Sequence, residues 1–402
     1  MATQIDYGTN TGSGLAERVV LAMAERIEAG ELVITLPYGV DRLFKGPKPG
    51  PTAALQIDHP RAYRRLLFGG TMGFAEAYMD GDVDTPDLAA LVDLMIKNQA
   101  ALLGALDKQR WTRVLKRVAH KLRPNSRRGA RRNIAHHYDL GNDFYAQWLD
   151  RSMTYSSAMF DHPDQSIADA QDNKYRNIAR LARIGTDDSV LEIGCGWGGF
   201  CSWAARNIGC RVTAITISPA QYAFAAERLH NEGLNDKVDL RLQDYRDTDG
   251  TYDGIVSIEM VEAVGETYWP AYFQTLRNRL RPGGRAALQS ITIDEAYFES
   301  YRRSVDFIQQ YIFPGGMLPS PTRLHAEAEQ AGLTRVETER FGPDYARTLA
   351  YWRRAFDTAW PQIQTLGFDE RFRRMWQYYL IYCEAGFNIG RIDVLQTALS
   401  RD

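Results

Sequence analysis

A glycine-rich turn between a strand and a helix is the feature that most constrains the fold of this chain. Residues 189–199 are an apolar strand that runs into the spaced glycines Gly194, Gly196 and Gly198. Glycine allows the backbone to turn sharply and allows a ligand to approach it closely. Glu192, near the end of the strand, adds a carboxylate that could bind polar or cationic groups of that ligand. The segment therefore predicts a cofactor site at the end of a buried strand.

Three classes of cofactor site use such a turn, and the residue spacing separates them. A phosphate-binding P-loop requires the pattern G-x-x-x-x-G-K-S/T, and no lysine follows here. A dinucleotide site expects an acidic residue about 20 positions further on, but the second strand ends in Thr216-Ile217-Ser218. The Glu-x-Gly-x-Gly-x-Gly form instead resembles motif I of class I methyltransferases, which implies S-adenosylmethionine as the cofactor. A glycine turn with a purely structural role is the remaining alternative.

From about residue 180 onward, strand-like and helix-like segments alternate. The strands are predicted at 188–193, 210–217, 237–243, 252–259 and 284–293, and the helices at 198–207, 219–232 and 267–280. Strands that alternate with helices favour a parallel sheet with helices on both faces. We therefore predict an α/β fold, a Rossmann-like class I methyltransferase with a doubly wound, mostly parallel sheet. A helical region at 344–388 follows it.

The sequence pattern of the first 122 residues predicts an α+β domain that is smaller than the methyltransferase domain and has no catalytic motif. Helices are expected at 15–29 and 60–80, and strand-like runs at 33–37 and 54–57 flank a turn at 46–51. Thr85-Pro86 is a good N-cap and first-turn pair for a long helix that would end near residue 122. We expect this domain, 1–122, to aid lipid engagement or dimerisation. Residues 123–402 would form the methyltransferase domain with a helical substrate cover.

A strongly basic segment interrupts an acidic chain. Residues 105–135 contain eleven Lys or Arg and one acid, a net charge of +10, whereas the remaining residues carry −12. Within it, Arg113, Lys116, Arg117 and Lys121 share one face of the predicted helix, with apolar residues between them. Such a helix suits the surface of an anionic membrane. A solvated linker helix is the alternative reading of the same pattern.

The composition of the chain indicates in which cellular compartment the protein is expected. The N-terminus has no apolar signal core, and no run approaches the roughly 18 apolar residues of a membrane span. The four cysteines match no metal-binding or redox spacing, so no metal site is expected. We therefore expect a reduced, cytoplasmic protein that associates peripherally with the inner face of the membrane.

Several segments together resemble one family of lipid-modifying enzymes. These segments are residues 137–145, 154–158, 243–247, 262–265 and 311–316. In this order they closely resemble the cyclopropane-fatty-acyl-phospholipid synthases, a family that includes the mycolic acid cyclopropane synthases. The resemblance is dense over residues 130–390. It implies an enzyme that adds a methylene bridge from S-adenosylmethionine across the cis double bond of an unsaturated phospholipid acyl chain, forming a cyclopropane. It also allows a homodimer.

The glycine loop and the resemblance together define an expected cofactor site. Gln221 can donate to and accept from ribose hydroxyls, and Tyr245 can stack on a flat base. The expected cofactor-binding residues are Tyr155, Ser156, Glu192, Gly194, Gly196, Gly198, Thr216, Ile217, Gln221, Asp244, Tyr245 and Ile258.

The resemblance also implies a base for the reaction, a bicarbonate held by a Cys, a Glu, a His, an Ile backbone group and a Tyr. The Glu, the Ile and the Tyr fall on Glu262, Ile291 and Tyr345. Ser157 stands at the Cys position and Gln289 at the His position, where it cannot relay a proton as His can. These departures leave open whether bicarbonate is retained. An intermediate cation that loses a different proton would give an exocyclic methylene group instead of a ring. The alternative product is therefore a methylene- or methyl-branched chain.

Two rival functions fit the sequence less well. A nucleic-acid methyltransferase would use the basic segment, but it would need an Asn/Asp-Pro-Pro-Tyr/Phe loop after the fourth strand. Ser257-Ile258-Glu259-Met260 stands there instead, so we expect no nucleic acid as partner. A lipid-binding protein without catalytic activity would not need an intact cofactor loop.

Overall fold

The computed structural model describes residues 14–103 and 140–402 and groups them into two units. One unit contains residues 14–103 and 367–385, and the other contains residues 140–366 and 386–402. The predicted domain boundary at residue 122 and the basic segment with Arg113, Lys116, Arg117 and Lys121 lie outside the described residues.

The first unit is an α+β structure, as predicted. Its four-stranded sheet has the strand order β2-β1-β3-β4. In β1, buried residues alternate with partly exposed ones, so one face of this strand packs against the interior. The elements are α1 (Leu15–Ala24), β1 (Ala29–Thr35), β2 (Asp41–Lys45), β3 (Lys48–Ile57), α2 (Arg61–Met79), β4 (Val83–Asp84), α3 (Leu88–Lys97) and α4 (Gln99–Leu103).

Some local predictions for this unit were wrong. The predicted turn at 46–51 is partly strand, because β3 already begins at Lys48. Thr85 is not the N-cap: its hydroxyl donates to the Ala54 carbonyl at 2.7 Å, and Asp87 caps α3 by accepting from the Ala90 N–H at 3.0 Å. The predicted long helix is also interrupted at Asn98, whose buried side chain bonds to the backbone of β1.

The second unit contains the alternating strands and helices. Its elements are α5 (Asn142–Ala146), α6 (Ile167–Leu181), β5 (Ser189–Ile193), α7 (Gly199–Asn207), β6 (Arg211–Thr216), α8 (Pro219–Asn231), β7 (Val238–Leu242), β8 (Tyr252–Ile258), α9 (Val261–Val264), α10 (Trp269–Arg279), β9 (Leu280–Ile293), α11 (Glu295–Tyr301), α12 (Pro321–Gln330), β10 (Thr334–Arg340), α13 (Gly342–Thr365), α14 (Glu370–Asn388) and β11 (Ile392–Ser400). The residues of α14 are divided between the two units. None of the helices in the described ranges is long and apolar enough to cross a membrane.

The large sheet confirms the predicted doubly wound, mostly parallel architecture. Its seven strands have the order β10-β11-β9-β8-β5-β6-β7. Neighbours from β9 to β7 pair in parallel, and β11 pairs antiparallel with both β9 and β10. Apolar side chains cover both faces, since Val190 and Leu191 of β5 belong to different core clusters.

The last two strands of this sheet, β10 and β11, were not predicted from the sequence. The residues of β10 are mostly polar and none is buried, so its pattern lacks an apolar face. The segment of β11 follows the helical region predicted at 344–388, and no strand was predicted after that region. That region is two helices, and the break between them contains Gly367, whose φ is +97°.

The strand order places a crevice at the centre of the sheet. From β5 the chain continues to β6 and β7 on one side, whereas β8 and β9 lie on the other side. In doubly wound sheets, ligands bind at this switch point, outside the carboxyl ends of the strands. The glycine loop follows β5 and Glu259 follows β8, so both lie at the expected binding edge.

Candidate active site

The glycine loop has the backbone conformation that only glycine adopts without strain. Gly194, Gly196 and Gly198 have φ values of +84°, +54° and +83°. The N–H groups of Gly194 and Cys195 donate to the Ile215 carbonyl at 3.0 and 2.9 Å, which fixes the loop to the end of β6. A Cβ atom at Gly196 would project into open space, which is where a ligand could approach the backbone.

Glu192, two residues before Gly194, is a buried acceptor. Its side chain is 2% exposed, and its Oε2 atom has no hydrogen-bond partner in the part of the chain that the structure describes. Burial raises the pKa of Glu192 to about 8, against hydrogen bonding from Cys201 and the charge of Lys174. An unpaired buried acceptor of this kind fits a ligand that supplies hydroxyl or amino donors, as S-adenosylmethionine does.

Residues that follow β6 and β7 extend the predicted cofactor site. The Thr216 hydroxyl donates to Gln221 Oε1 at 3.0 Å, and the buried Tyr245 ring packs edge-on against Tyr272 at 5.5 Å. Asp244 differs from expectation: Arg246 donates to both of its carboxylate oxygens, at 2.8 and 2.6 Å. The carboxylate of Asp244 therefore already has a cationic partner inside the protein.

The remaining cofactor candidates lie around the same edge. Tyr155 packs among aromatic rings, with centroid distances of 5.3 Å to Tyr145 and 5.2 Å to Trp352. Ser156 is buried, whereas Ile217 and Ile258 are partly exposed. The cofactor contacts of all these residues stay predictions.

Glu259 is the centre of the predicted catalytic pocket, although the sequence analysis did not assign it a role. Its carboxylate accepts three hydrogen bonds, from the Ser157 N–H at 2.9 Å, from Gln289 Nε2 at 2.8 Å and from the Tyr345 hydroxyl at 2.7 Å. These donors come from a loop, a strand and a helix. They are three of the residues for which an anion-binding role was predicted.

The backbone of Glu259 is held in an unusual conformation. Its φ is +50°, a backbone conformation that residues other than glycine rarely adopt. Its N–H donates to the Gln289 carbonyl at 2.8 Å, so backbone and side chain both bond to the same residue of β9. Strained residues of this kind concentrate at functional sites, where surrounding contacts hold them.

A buried amide network orients Gln289. Gln396 Nε2 donates to Gln289 Oε1 at 2.9 Å, and the two residues face each other across the β9–β11 pair. Asn177 in turn donates to Gln396 Oε1 at 3.0 Å. Because the oxygen of Gln289 accepts from Gln396, its NH2 group must point towards Glu259.

Glu262, the carboxyl group that the family resemblance assigned to the bicarbonate site, has a different environment from Glu259. It accepts a hydrogen bond from the Ile291 N–H, and its Oε2 atom has no hydrogen-bond partner among the described residues. Burial and the nearby charge of Glu259 raise the pKa of Glu262 to about 8. At neutral pH, Glu262 is therefore mainly protonated and can donate a hydrogen bond. Two carboxyls whose environments differ in this way suit different roles in acid–base chemistry.

The structure thus collects the predicted residues around two carboxyls. Ser157, Gln289 and Tyr345 contact Glu259, and Ile291 contacts Glu262. The missed residue had a recognisable signal, because Glu259 is an acidic residue directly after a central strand, at the binding edge of the sheet. Whether each predicted residue takes part in catalysis stays a prediction.

Comparisons with known proteins point to one family. A family model described as mycolic acid cyclopropane synthetase matches residues 125–397. A tuberculostearic acid methyltransferase of Mycobacterium tuberculosis is 38% identical over 404 residues, covering 95% of this chain and 91% of that protein. The cyclopropane-fatty-acyl-phospholipid synthase of Escherichia coli K12 is 34% identical over 350 residues, covering 87% and 88%. A crystal structure of a mycolic acid cyclopropane synthase with SAH and CTAB has a TM-score of 0.64 and 29% identity, covering 67% of this chain and 98% of that one.

Replacing Gly196 with Val should abolish binding of S-adenosylhomocysteine in calorimetry. The new side chain would fill the open space beside the loop. Gly233→Val is a matched control, because Gly233 also has a positive φ, +67°, and also faces open space, outside the loop. Unchanged affinity in Gly196→Val, with a native circular dichroism spectrum, would contradict the cofactor site.

Replacing Glu262 with Gln should change how stability depends on pH. The folded protein holds the pKa of Glu262 above the unfolded value, so this group stabilises the fold at low pH, and that stabilisation is lost as pH rises towards about 8. Glu262→Gln should therefore gain melting temperature relative to wild type by several degrees between pH 5 and pH 9. Glu329→Gln, at an exposed residue, is the control. If the difference in melting temperature between Glu262→Gln and wild type does not vary with pH, the raised pKa of Glu262 is wrong.

Proposed function

The chain belongs to the mycolic acid cyclopropane synthetase family and is an S-adenosylmethionine-dependent methyltransferase, and from this premise we propose its substrate and product. We propose that it methylates the cis double bond of an unsaturated fatty acyl chain, carried on a phospholipid, to a methylene-branched chain. The observation that carries the proposed base is the Glu259 carboxylate, which accepts from Ser157, Gln289 and Tyr345. The branched product rests on the relative named a tuberculostearic acid methyltransferase.

The proposed reaction needs a base close to a cation. When bound, S-adenosylmethionine supplies an electrophilic methyl group. The π electrons of the acyl double bond form the new C–C bond to that methyl group as the bond between methyl and sulfur breaks and its electrons stay on the sulfur. The neighbouring carbon of the acyl chain becomes a carbocation. The aromatic rings around Tyr155 and the buried site exclude water, which would otherwise trap that cation. An anion beside the cation stabilises it and then accepts its proton.

In this chain Glu259 can be that anion without a bound bicarbonate. The resemblance assigns bicarbonate to the donors at positions 157, 289 and 345, and these donors already bond to a protein carboxylate. Two further features agree with this assignment. Gln289 cannot relay a proton as His can. Burial raises the pKa of both carboxyls, but Glu259 has three hydrogen-bond donors and the charge of Lys174 to favour its ionised form, whereas Glu262 has one backbone donor.

Two products have balanced routes from the same cation. If the new methyl group loses a proton while its carbon bonds to the cationic carbon, a cyclopropane forms. If a hydride first shifts from the methyl-bearing carbon to the cationic carbon, loss of a methyl proton gives an exocyclic methylene group. Both routes release one proton to the base. A saturated methyl branch would need a further two-electron reduction, so a separate reductase would have to act on the methylene product.

The names of the relatives support both the branched product and the cyclopropane, and we favour the branched product. The relative that covers 95% of the chain is named a tuberculostearic acid methyltransferase, and tuberculostearic acid is a methyl-branched fatty acid. Cyclopropane formation is the second candidate, supported by the name of the Escherichia coli relative. That relative is also the support for a phospholipid as the carrier of the acyl chain.

Contact with the membrane completes the proposal. A phospholipid substrate resides in a bilayer, and the basic residues at 105–135 would attract an anionic surface. We place the protein in the cytoplasm, at the inner face of the membrane. The homodimer stays a prediction, which analytical ultracentrifugation would check.

Glu259→Gly and Glu259→Gln should separate the two effects of this side chain, which acts as the base and also fills the space where a bicarbonate would bind. Both variants lack the base, so the turnover of the purified enzymes in buffer stripped of carbon dioxide should fall at least about 100-fold, as measured by mass spectrometry of the lipid product. Glycine adopts a φ of +50° without strain, and its lack of a side chain leaves the donors of Ser157, Gln289 and Tyr345 without the carboxylate. Added bicarbonate should therefore bind these donors and restore turnover of purified Glu259→Gly. It should not restore Glu259→Gln, whose side chain still fills the site.

Two results would count against the proposed function. Full activity in Glu259→Gln would remove this residue from the proton transfer. A wild-type enzyme that makes only cyclopropane lipids would show that the branched product is wrong.

Changing Arg113, Lys116, Arg117 and Lys121 together to Gln should weaken binding to vesicles that contain anionic lipid, most strongly at low salt. Each basic residue near such a surface contributes about 1 kcal/mol, and salt screens the attraction. Vesicle sedimentation measures the effect, with neutral vesicles as the control. If the quadruple variant sediments like wild type, the segment is a linker and the membrane contact lies elsewhere.

A further inference from the structure

Lys174 is a buried cation beside the proposed active site. Its side chain is fully buried, although it belongs to α6. It lies on the stripe of this helix that also buries Ala170 and Ile178, a position that would ordinarily be apolar. A lysine is almost never buried in this way unless it is paired. Its position therefore indicates a specific partner.

The first partner is a residue of the predicted cofactor site. Lys174 Nζ donates to the Ser156 hydroxyl at 2.8 Å. The next residue, Ser157, donates its N–H to Glu259 at 2.9 Å. Lys174 and Glu259 thus hold two consecutive residues of one loop, the ammonium through a side chain and the carboxylate through the backbone. Gln171, one turn before Lys174, adds a bond to the Ser156 carbonyl at 3.1 Å.

The charged groups around Lys174 come from several elements. Glu259 follows β8, Glu192 lies in β5 and Asp150 belongs to the loop after α5, and all three interact with its charge. On its own helix, the Tyr175 ring centroid lies 4.5 Å from the Lys174 ammonium. Around Glu259, the neighbours that titrate are Tyr345 and Glu262.

Burial and charge act against each other at both members of the pair. Burial lowers the pKa of Lys174 to about 7, while the three carboxylates oppose this shift. Burial raises the pKa of Glu259, while Lys174 and the three hydrogen-bond donors oppose that shift. A buried charge is costly alone, and the opposite charges of Lys174 and Glu259 reduce this cost for each other without a direct ion pair between them.

We propose that Lys174 is a positioning residue whose ammonium keeps Glu259 ionised before each turnover and orients Ser156 towards the cofactor. This inference rests on the proposed function of Glu259 as the base. Lys174 does not touch the reacting atoms in this account. It acts through the charge of its neighbour and through the loop that both residues hold.

The pH dependence of turnover tests the charge effect. Without the ammonium, the pKa of Glu259 should rise, so Lys174→Met should shift the acidic limb of the kcat profile upward by about one pH unit or more. Lys174→Arg keeps the charge and should retain the wild-type limb. Lys237→Met, at a partly exposed lysine outside the site, is the matched control. A purely structural lysine would lower kcat equally at every pH, and that result would overturn the proposal.

Thermal unfolding tests the same pairing when Lys174→Met is inactive. In wild type, Glu259→Gln should lower the melting temperature, because it removes a negative charge that offsets the buried ammonium of Lys174. In Lys174→Met, the same change should be less destabilising, because that ammonium is already absent. Equal effects in both backgrounds would show that the two residues are uncoupled and would overturn the inference.

The test also distinguishes this inference from the proposed function. The pH profile follows total methylated lipid, whichever product forms, whereas lipid analysis identifies the product. A ring product with a shifted limb would contradict only the proposed product. An unshifted limb in Lys174→Met, with a branched product, would contradict only the role of Lys174.

Discussion

The hydrogen bonds to the Glu259 carboxylate join segments that are far apart in the sequence. Ser157 lies in a loop before the sheet, Gln289 lies in β9 and Tyr345 lies in α13, yet all three donate to the same two oxygens. A buried carboxylate needs such donors to remain charged. Conversely, each donor would be unsatisfied in the interior without an acceptor. Closure of the site and ionisation of its carboxylate therefore depend on each other.

The surrounding groups extend this dependence in two directions. Towards β11, Gln396 fixes the amide orientation of Gln289, and Asn177 fixes Gln396. Towards α6, the Lys174 ammonium holds the loop residue next to Ser157. Glu262 lies outside the set of donors to Glu259, and the charge of Glu259 favours its protonated form. The three donors and the charge of Lys174 favour the ionised form of Glu259 against the effect of burial, so the two carboxyls would provide a base and a hydrogen-bond donor without a bound anion.

Local sequence patterns predicted the scaffold well, and tertiary contacts decided the rest. The strands β5 to β9 and the glycine loop were predictable because short apolar runs and spaced glycines are local signals. Glu259 was missed because its role depends on a φ of +50° and on donors from other segments. Gln396 was also hidden, since β11 was not expected and its pairing with β9 is a long-range contact. Ser157 and Gln289 looked like departures from a bicarbonate site, and their shared partner became visible only in the fold.

The most direct test of this account is the bicarbonate dependence of the wild-type enzyme. Turnover would be measured with S-adenosylmethionine and vesicles of unsaturated phospholipid, in buffer stripped of carbon dioxide and again with added bicarbonate. If Glu259 is the built-in base, the rate should be the same under both conditions. A rate that collapses without bicarbonate and recovers when it is added would show that an external anion does the chemistry, and would contradict the central role of Glu259.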